Sequence, residues 1–435
     1  MSALGRLVII GVAVLAVLAV LVVALTLAGG DGVGEQSSPS PSTATSASPT
    51  VSAEETASAA PSVDEEATLA TLRRIEEQVI AIRGLPAAEI GPPELISRDQ
   101  LGDELARIFE EEYPAEEQER DNIALRALGL LEEDQDVAEL QLQLLGDQVL
   151  GFYDDIEKRM VVVTDAGLDA NAKLTYAHEY THALQDAAFD LDTLQTDTPG
   201  EDDRGLARTA LIEGDATVSM LAWALAGNLT PEELVEIGSI RPPSTEGIPS
   251  WMVDQLQFPY VDGLSWATAL SGNPTSPDFD ELDAAFDAPP DSTEQIIHIA
   301  KWDPRETPDP IPELDLAAAM GDGWSEVDAT PIGEETIRVM LSFHGLAGGV
   351  ADEAGDGWGG DRAVIATGPG DAFAVSWRSV WDSPGDAGQF ADAYRDIAGS
   401  LPFSVAVVEE TDGSVLVIHA SSEDLLQRAR DASTG

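Results

Sequence analysis

The chain has 435 residues, and 80 acidic against 22 basic side chains give it a formal net charge of −58 at pH 7. A surface this acidic repels nucleic acid and anionic lipid head groups, so we expect no nucleic-acid partner. The chain has no cysteine, which excludes disulfide bonds, thiolate metal ligands and a lipid-modified N-terminal cysteine.

The chain opens with a long apolar run. Residues 7–28, LVIIGVAVLAVLAVLVVALTLA, carry no charge and are long enough to cross a bilayer as a helix. Arg6 precedes the run, whereas Asp31 and Glu35 follow it. The positive-inside rule therefore places residues 1–6 in the cytoplasm and the bulk of the chain outside, as in a single-pass protein of the cell membrane. A cleaved signal peptide is the alternative, although its apolar core is usually shorter.

A tether and a set of helices are predicted next. Residues 29–63 are rich in Ser, Thr, Pro and Ala and cannot build a core, so we expect a disordered linker. From about residue 64 the apolar spacing becomes helical, with a first stripe of Leu72, Ile75, Val79 and Ile82. A capping box of Ser97 and Gln100 begins another helix, and two short amphipathic helices follow within 115–146. These helices are either the first layer of the folded part or a segment that masks the site described below.

A predicted hairpin of strands 148–153 and 159–164 is followed by the run YAHEYTHALQD. In that run His178 and His182 lie four residues apart, with Glu179 directly after the first histidine. Residues four apart share one face of a helix, because the helix advances about 100° per residue. The helix itself is predicted by an apolar stripe of Leu174, Ala177, Thr181, Leu184 and Ala188.

Two histidines on one helix face can bind one metal ion through neutral imidazoles. Glu179 lies about 60° round from His182, too far to be a ligand but close enough to reach a water on the ion. This is the chemistry of H-E-x-x-H, with His178 and His182 as zinc ligands and Glu179 as the general base. The alternative is an ordinary helix with two partly buried histidines and an exposed glutamate.

A catalytic zinc needs a third protein ligand. The metzincin pattern is excluded, because Ala188 and Gln185 stand where that pattern has His and Gly. The other common solution is a Glu from a later helix, here Glu213 in LARTALIEGDATVSMLAWAL. We choose Glu213 for its longer side chain, with Asp215 as the alternative, and expect Gly214 to let this helix approach the histidine helix closely. The competing interpretation is that residues 213–215, EGD, form a solvent-exposed corner of the chain.

The chain resembles gluzincin-type zinc metallopeptidases, which combine H-E-x-x-H on one helix with a Glu ligand on a later one. More narrowly, it resembles a group of uncharacterised, membrane-anchored bacterial metallopeptidases, over about 145–380. The shared stretches are VLGFYD (149–154), HEYTHALQD (178–186), LIEGDAT (211–217), STEQIIH (292–298) and GWGGDR (357–362). Of these, the zinc motif alone carries known chemistry.

Two departures from the pattern stand out. Thermolysin-like enzymes have an Asp four residues after the ligand Glu, and here that position is Thr217. The hydrogen-bond partner of a ligand histidine must then come from elsewhere, with Asp186 and Asp215 as candidates. The group also has Gln-His where this chain has Ala187 and Ala188, a change that leaves the three expected ligands in place.

The resemblance also implies a mechanism and a substrate mode. Zinc lowers the pKa of its water, and Glu179 accepts the proton and passes it to the leaving amine. The edge of the predicted hairpin is expected to pair with extended substrate, although an ordinary core hairpin is compatible with the sequence. A further donor should stabilise the oxyanion, and the candidates are His298 and Tyr260, neither of which is fixed by spacing.

Later helices are predicted at 230–239, within 248–271 and through STEQIIH. A Pro-rich run then ends the first predicted domain, so that residues 64–310 form a mostly helical, zincin-like metallopeptidase domain with a small sheet. Residues 311–435 are expected to form a small α+β domain of two ββα units. The expected fold class is therefore α+β, after an N-terminal transmembrane helix.

The predicted C-terminal domain carries no catalytic constellation. His344 and His419 are isolated and are expected to be packing residues. The run GWGGDR lacks the strand–helix order of a phosphate loop and is interpreted as a tight turn.

The sequence thus predicts a membrane-anchored, extracytoplasmic zinc metallopeptidase that acts on proteins or peptides. An envelope-associated binding protein on an inactive zincin scaffold is the alternative, but such a scaffold has no need of Glu179. A purely structural zinc is a third interpretation, which is weaker because structural sites usually fill all four positions with protein ligands.

Overall fold

The computed structural model describes residues 65–146, 149–165, 167–239 and 244–434. The apolar run at 7–28 and the linker at 29–63 lie outside these residues. Among the residues described, no helix is both long and apolar enough to cross a bilayer. The described chain is α+β, as predicted, with two small sheets.

The first part of the described chain is mostly helical. Its helices are α1 (Glu65–Arg83), α2 (Arg98–Glu112), α3 (Ala115–Leu128), α4 (Val137–Gly146), α5 (Ala170–Phe189), α6 (Asp202–Trp223), α7 (Pro231–Ile237), α8 (Ser250–Ser271), α9 (Asp280–Asp287), α10 (Thr293–Ile297) and α11 (Ile299–Trp302). The first sheet consists of β1 (Glu94–Ile96), β2 (Gly151–Asp154) and β3 (Arg159–Val163). β3 lies in the middle, parallel to β1 and antiparallel to β2. The predicted capping box at Ser97 and Gln100 is confirmed.

The second part is built around an antiparallel sheet in the order β4-β5-β6-β8-β7. Its elements are α12 (Leu316–Met320), β4 (Ser325–Thr330), α13 (Gly333–Phe343), α14 (Gly348–Gly355), β5 (Trp358–Gly368), β6 (Ala372–Trp381), α15 (Pro384–Ala398), β7 (Ser404–Glu409), β8 (Val415–Ala420) and α16 (Glu423–Thr434). The two predicted ββα units, β5-β6-α15 and β7-β8-α16, are confirmed. β4 and helices α12 to α14 were not predicted.

Interpreting GWGGDR as a tight turn was wrong for most of its length. Gly357 is in the left-handed region, with φ of 75°, but strand β5 begins at the next residue. The register of β5 against β6 shifts between Trp358 and Gly360, so the glycines belong to an irregular strand start. Glycine marks a bulge as readily as a turn, and the sequence did not separate the two.

The largest apolar cluster joins the two parts of the chain. Leu125 and Trp251 belong to the same buried cluster as Trp377 and Phe390. The predicted domain boundary near residue 310 stays a prediction, and the apolar core is continuous across it.

His419 is a packing residue, as predicted. It is fully buried, its Nδ1 donates to the carbonyl of Ala127 at 2.9 Å, and its Nε2 accepts from the hydroxyl of Tyr394 at 2.8 Å. Burial lowers the pKa of His419 to about 4, so the ring is neutral at pH 7. His344 is half-buried and packs edge-on against the ring of Phe343.

Gly214 was expected to let α6 approach the histidine helix α5, and this prediction was wrong. A Cβ on Gly214 would lie 2.3 Å from the carbonyl oxygen of Gly263 in α8, and a Cβ on Gly263 would lie 2.5 Å from the carbonyl oxygen of Ala210. The close approach is therefore between α6 and α8. Glu213 faces the histidine helix, and the next residue of a helix points about 100° away.

Gly214→Ala should destabilise the protein by about 2 kcal/mol or more, because backbone must move to admit the methyl group. The matched control is Gly388→Ala in α15, where an added Cβ meets no atom within 4 Å. That change should stabilise by about 0.5–1 kcal/mol through helix propensity. Urea unfolding of both variants measures the difference, and equal stabilisation by the two changes would contradict the close packing of α6 and α8.

Candidate metal centre

Three predicted ligand side chains converge at one point. The Nε2 atoms of His178 and His182 are 3.1 Å apart, and Oε2 of Glu213 lies 3.0 Å from the first and 3.5 Å from the second. Ligand atoms of a tetrahedral zinc, each about 2.1 Å from the metal, lie about 3.4 Å from one another. The three residues form a buried group that could hold a metal ion.

The two helices that carry these residues lie inside the protein. Every residue of α5 from Leu174 to Asp186 is buried, and so is every residue of α6 from Thr209 to Trp223. The polar side chains on these helices therefore have to find partners within the protein. For Glu213, whose exposure is 0%, the partners are the two histidines.

Asp215, the alternative third ligand, has a different partner. Its Oδ1 lies 2.9 Å from Nε of Arg83, the last residue of α1, and neither side chain is exposed. A second nitrogen of Arg83 lies 2.5 Å from Asp283 in α9, and the guanidinium stacks over the ring of Phe279 at 4.4 Å. The structure thus brings Glu213 to the histidines and Asp215 to an arginine.

Gln185 determines which ring nitrogen of His182 is free. Its amide nitrogen donates to the carbonyl of Ile212 at 2.9 Å and to Oδ2 of Asp215 at 2.8 Å. Its Oε1 must therefore accept from Nδ1 of His182, which lies 2.8 Å away. With the proton on Nδ1, the Nε2 lone pair of neutral His182 points at the candidate metal position.

The sequence did not predict the part that Gln185 and Arg83 play. Of the two candidate partners for a ligand histidine, Asp215 acts through Gln185. The other, Asp186, accepts from the hydroxyl of Tyr153 at 2.7 Å and from Lys158 at 2.6 Å. A polar residue three positions after a histidine was the available signal, since it lies on the same helix face.

The charges of the ion-free group are strongly coupled. Burial lowers the pKa of His178. Burial also acts to lower the pKa of His182, but the Glu213 carboxylate outweighs it and raises that pKa to about 9. Against its own burial, Glu213 is held ionised by the two histidines, with a pKa of about 2. At pH 7 one proton therefore sits where a metal ion would bind.

Glu179 lies outside the ligand group but next to it. It is 2% exposed, and its Oε2 accepts from the backbone N–H of Tyr153 at 3.1 Å. Burial raises its pKa to about 8 in the absence of an ion. Leu150 accepts from Val163 across the hairpin, so in antiparallel alternation the N–H and C=O of Tyr153 point away from β3. Glu179 is thus held at the free edge of β2.

The two candidate oxyanion donors lie in different surroundings. Tyr260 in α8 is buried, and its ring centroid lies 6.1 Å from that of His178. His298 ends α10, as predicted, and its Nε2 lies 2.9 Å from Oε1 of Glu334 and 3.2 Å from Oδ1 of Asp356. The structure therefore brings Tyr260 to the ligand group and pairs His298 with two carboxylates.

Comparison with known families gives one match. Residues 323–431 match a family described as a domain of unknown function, DUF8575. The match runs from β4 into α16 and does not include α5 or α6. No curated protein and no solved structure matches the chain.

Gln185→Leu should weaken zinc binding about 10–100-fold, because His182 loses the acceptor that fixes its tautomer. The matched control is Gln427→Leu on the exposed face of α16, which should leave the affinity unchanged. Competition with a chromophoric chelator measures both affinities. Equal affinity in the two variants would show that Gln185 does not orient His182.

Zinc binding should release between about one and two protons per chain at pH 7. One comes from His182, which must lose the proton that Glu213 retains in the ion-free state, and most of a second comes from Glu179, whose raised pKa a bound ion would lower. The affinity should fall about tenfold for each pH unit below 9, and more steeply below 8, since first the His182 proton and then the Glu179 proton competes with the metal. Calorimetric titration in buffers of different ionisation enthalpy counts the protons. Release of no proton would contradict the ion pair between His182 and Glu213.

Proposed function

We propose that the chain is a zinc metallopeptidase of the gluzincin type, with His178, His182 and Glu213 as metal ligands and Glu179 as the general base. The observation that carries the proposal is the convergence of three ligand atoms from two buried helices, with Glu179 held separately beside them. A structural site would not need that carboxylate.

The residues present fit zinc. Two imidazole nitrogens and one carboxylate oxygen are the donor set of many catalytic zinc sites, and Gln185 leaves Nε2 of His182 free to bind. The other oxygen of Glu213, Oε1, is buried without a hydrogen-bond partner among the described residues, which favours an ion at the carboxylate. When bound, zinc polarises a scissile carbonyl, lowers the pKa of water to near 7 and favours the ionised form of a neighbouring carboxylate.

In the proposed reaction, separate residues of the chain transfer the proton, position the base and stabilise the oxyanion. The carboxylate of Glu179 accepts a proton from the attacking water and passes it to the leaving amine. The backbone N–H of Tyr153 holds one of its oxygens, leaving the other to meet the water. Tyr260, next to His178, is the candidate donor to the oxyanion, and His298 is the second.

The free edge of β2 supports a peptide as substrate. Among the described residues, β2 has no strand partner on one side in the order β1-β3-β2, and Tyr153 directs its carbonyl to that side, although all four residues of β2 are buried. An extended peptide that displaces the chain covering this edge could pair with it, which would bring a backbone carbonyl beside the ligand group and Glu179. The proposal therefore assigns proteins or peptides as substrates.

Glu179→Gln should keep zinc and the fold but lower peptide hydrolysis about 10²–10⁴-fold, because the amide cannot accept the proton. The matched control is Glu139→Gln, an exposed glutamate of α4, which should retain full activity. Denatured casein or a peptide library, read by mass spectrometry with and without a chelator, gives the rates. Equal rates for Glu179→Gln and the unmodified protein would contradict the proposed mechanism.

A companion variant separates catalysis from metal binding. His178→Ala should lose zinc and activity together, and stability with them, because Glu213 is left buried with one partner fewer. A zinc-loaded chain that cleaves no peptide in any of these assays would favour the binding-protein alternative.

The proposed enzyme is anchored in the cell membrane by residues 7–28, with the folded part outside. A reporter active only outside the cytoplasm, fused after residue 66, should give signal because Arg6 remains on the inner side. The same fusion with a cytoplasmic reporter is the control. A released protein whose N-terminus lies near residue 30 would show instead that the run is a cleaved signal.

A further inference from the structure

A second group of ligand-type side chains lies away from α5. Nε2 of His298 is 2.9 Å from Oε1 of Glu334 and 3.2 Å from Oδ1 of Asp356. One nitrogen and two carboxylate oxygens thus lie close enough to share one ion. The three ligand atoms all lie within 4.8 Å of one another, as those around His178 do, although the donor set has one histidine instead of two.

The burial of Glu334 makes this group more than a surface ion pair. Its side chain has no exposed surface, and its second oxygen, Oε2, has no hydrogen-bond partner among the described residues. The nearest arginine, Arg338, is 3.9 Å from Oε1 and is held by two hydrogen bonds to Asp352. A buried carboxylate with an unsatisfied oxygen costs free energy, which a cation bound to the carboxylate would offset.

The three residues come from separate segments. His298 stands between α10 and α11, Glu334 lies in the first turn of α13, and Asp356 directly follows α14. The side chains of Asp356 and His298 are 61% and 32% exposed, so solvent reaches the group from one side. An ion there would have protein ligands on its inner face and water on its outer face.

The geometry points to a second divalent-cation site, formed by His298, Glu334 and Asp356. The imidazole favours Zn²⁺ over Mg²⁺ and Ca²⁺, which prefer oxygen ligands throughout. The site joins His298 to the 323–431 segment matched by the family, and its role is to clamp α13 and α14 against α10. Nε2 of His298 then belongs to this site, and Tyr260 is left as the candidate oxyanion donor of the first.

The inference does not depend on the proposed function, and the test keeps the two apart. The full chain is dialysed against Zn²⁺ in millimolar Mg²⁺, which saturates loose carboxylate sites on the acidic surface. Metal per chain is then counted by mass spectrometry. The variants are His182→Ala for the first site, and His298→Gln and Asp356→Asn for the second. His344→Gln is the matched control, because His344 is half-buried and no carboxylate of the described residues acts on it.

The unmodified chain and His344→Gln should each hold two ions. His298→Gln and Asp356→Asn should each lose one, and His182→Ala should lose the other. In the His182→Ala background, added Zn²⁺ should raise the Tm, and combining His182→Ala with Asp356→Asn should abolish that rise. Because Asp356 is largely exposed, its change tests the site even where His298→Gln fails to fold.

Full retention of metal by both His298→Gln and Asp356→Asn would overturn the inference and reduce the group to an ion pair. So would a single ion per chain that His182→Ala removes, an outcome that leaves the proposed function standing. Loss of one ion from Asp356→Asn, with none lost from His182→Ala, would support the second site and contradict the first.

Discussion

The centre of the protein depends on one buried carboxylate. Glu213 has no exposed surface, yet it lies in the middle of a helix that is buried along most of its length. An isolated carboxylate in that position would cost several kcal/mol, so the fold must supply positive charge or hydrogen-bond donors there. It supplies two histidines from the adjacent α5, and this requirement fixes how α5 and α6 face each other.

The surrounding polar side chains extend the same constraint outward. Gln185 links His182 to Asp215, and Arg83 neutralises Asp215 from the end of α1. Removing α1 would leave Asp215 buried without its cation, a change that is strongly destabilising in general. We therefore interpret α1 as part of the folded unit, although it follows the predicted linker directly and the sequence also allowed it to be part of a mask.

The sequence predicted those features of the metal centre that depend on residues close together in the chain. The spacing of His178 and His182 follows from the geometry of a single helix, and a carboxylate in an apolar run is conspicuous wherever it folds. Packing between helices is not encoded in that way. The predicted packing partner of Gly214 was wrong, and the hydrogen bonds of Gln185 were not predicted. Both depend on which helix packs against the one that carries the residue. Helix α14, which Asp356 directly follows, was not predicted because it is short and glycine-rich, with little helical signal. Helix α13, which carries Glu334, was missed although its buried residues have helical spacing.

The central claim is that two histidines and one glutamate from two buried helices bind the same ion. Anomalous diffraction from crystals of the zinc-loaded protein, recorded on both sides of the zinc edge, tests it most directly. We expect a peak about 2.0–2.2 Å from Nε2 of His178, Nε2 of His182 and one oxygen of Glu213, with Asp215 still paired to Arg83. A peak held by Asp215 in place of Glu213, or no peak between the histidines, would contradict it.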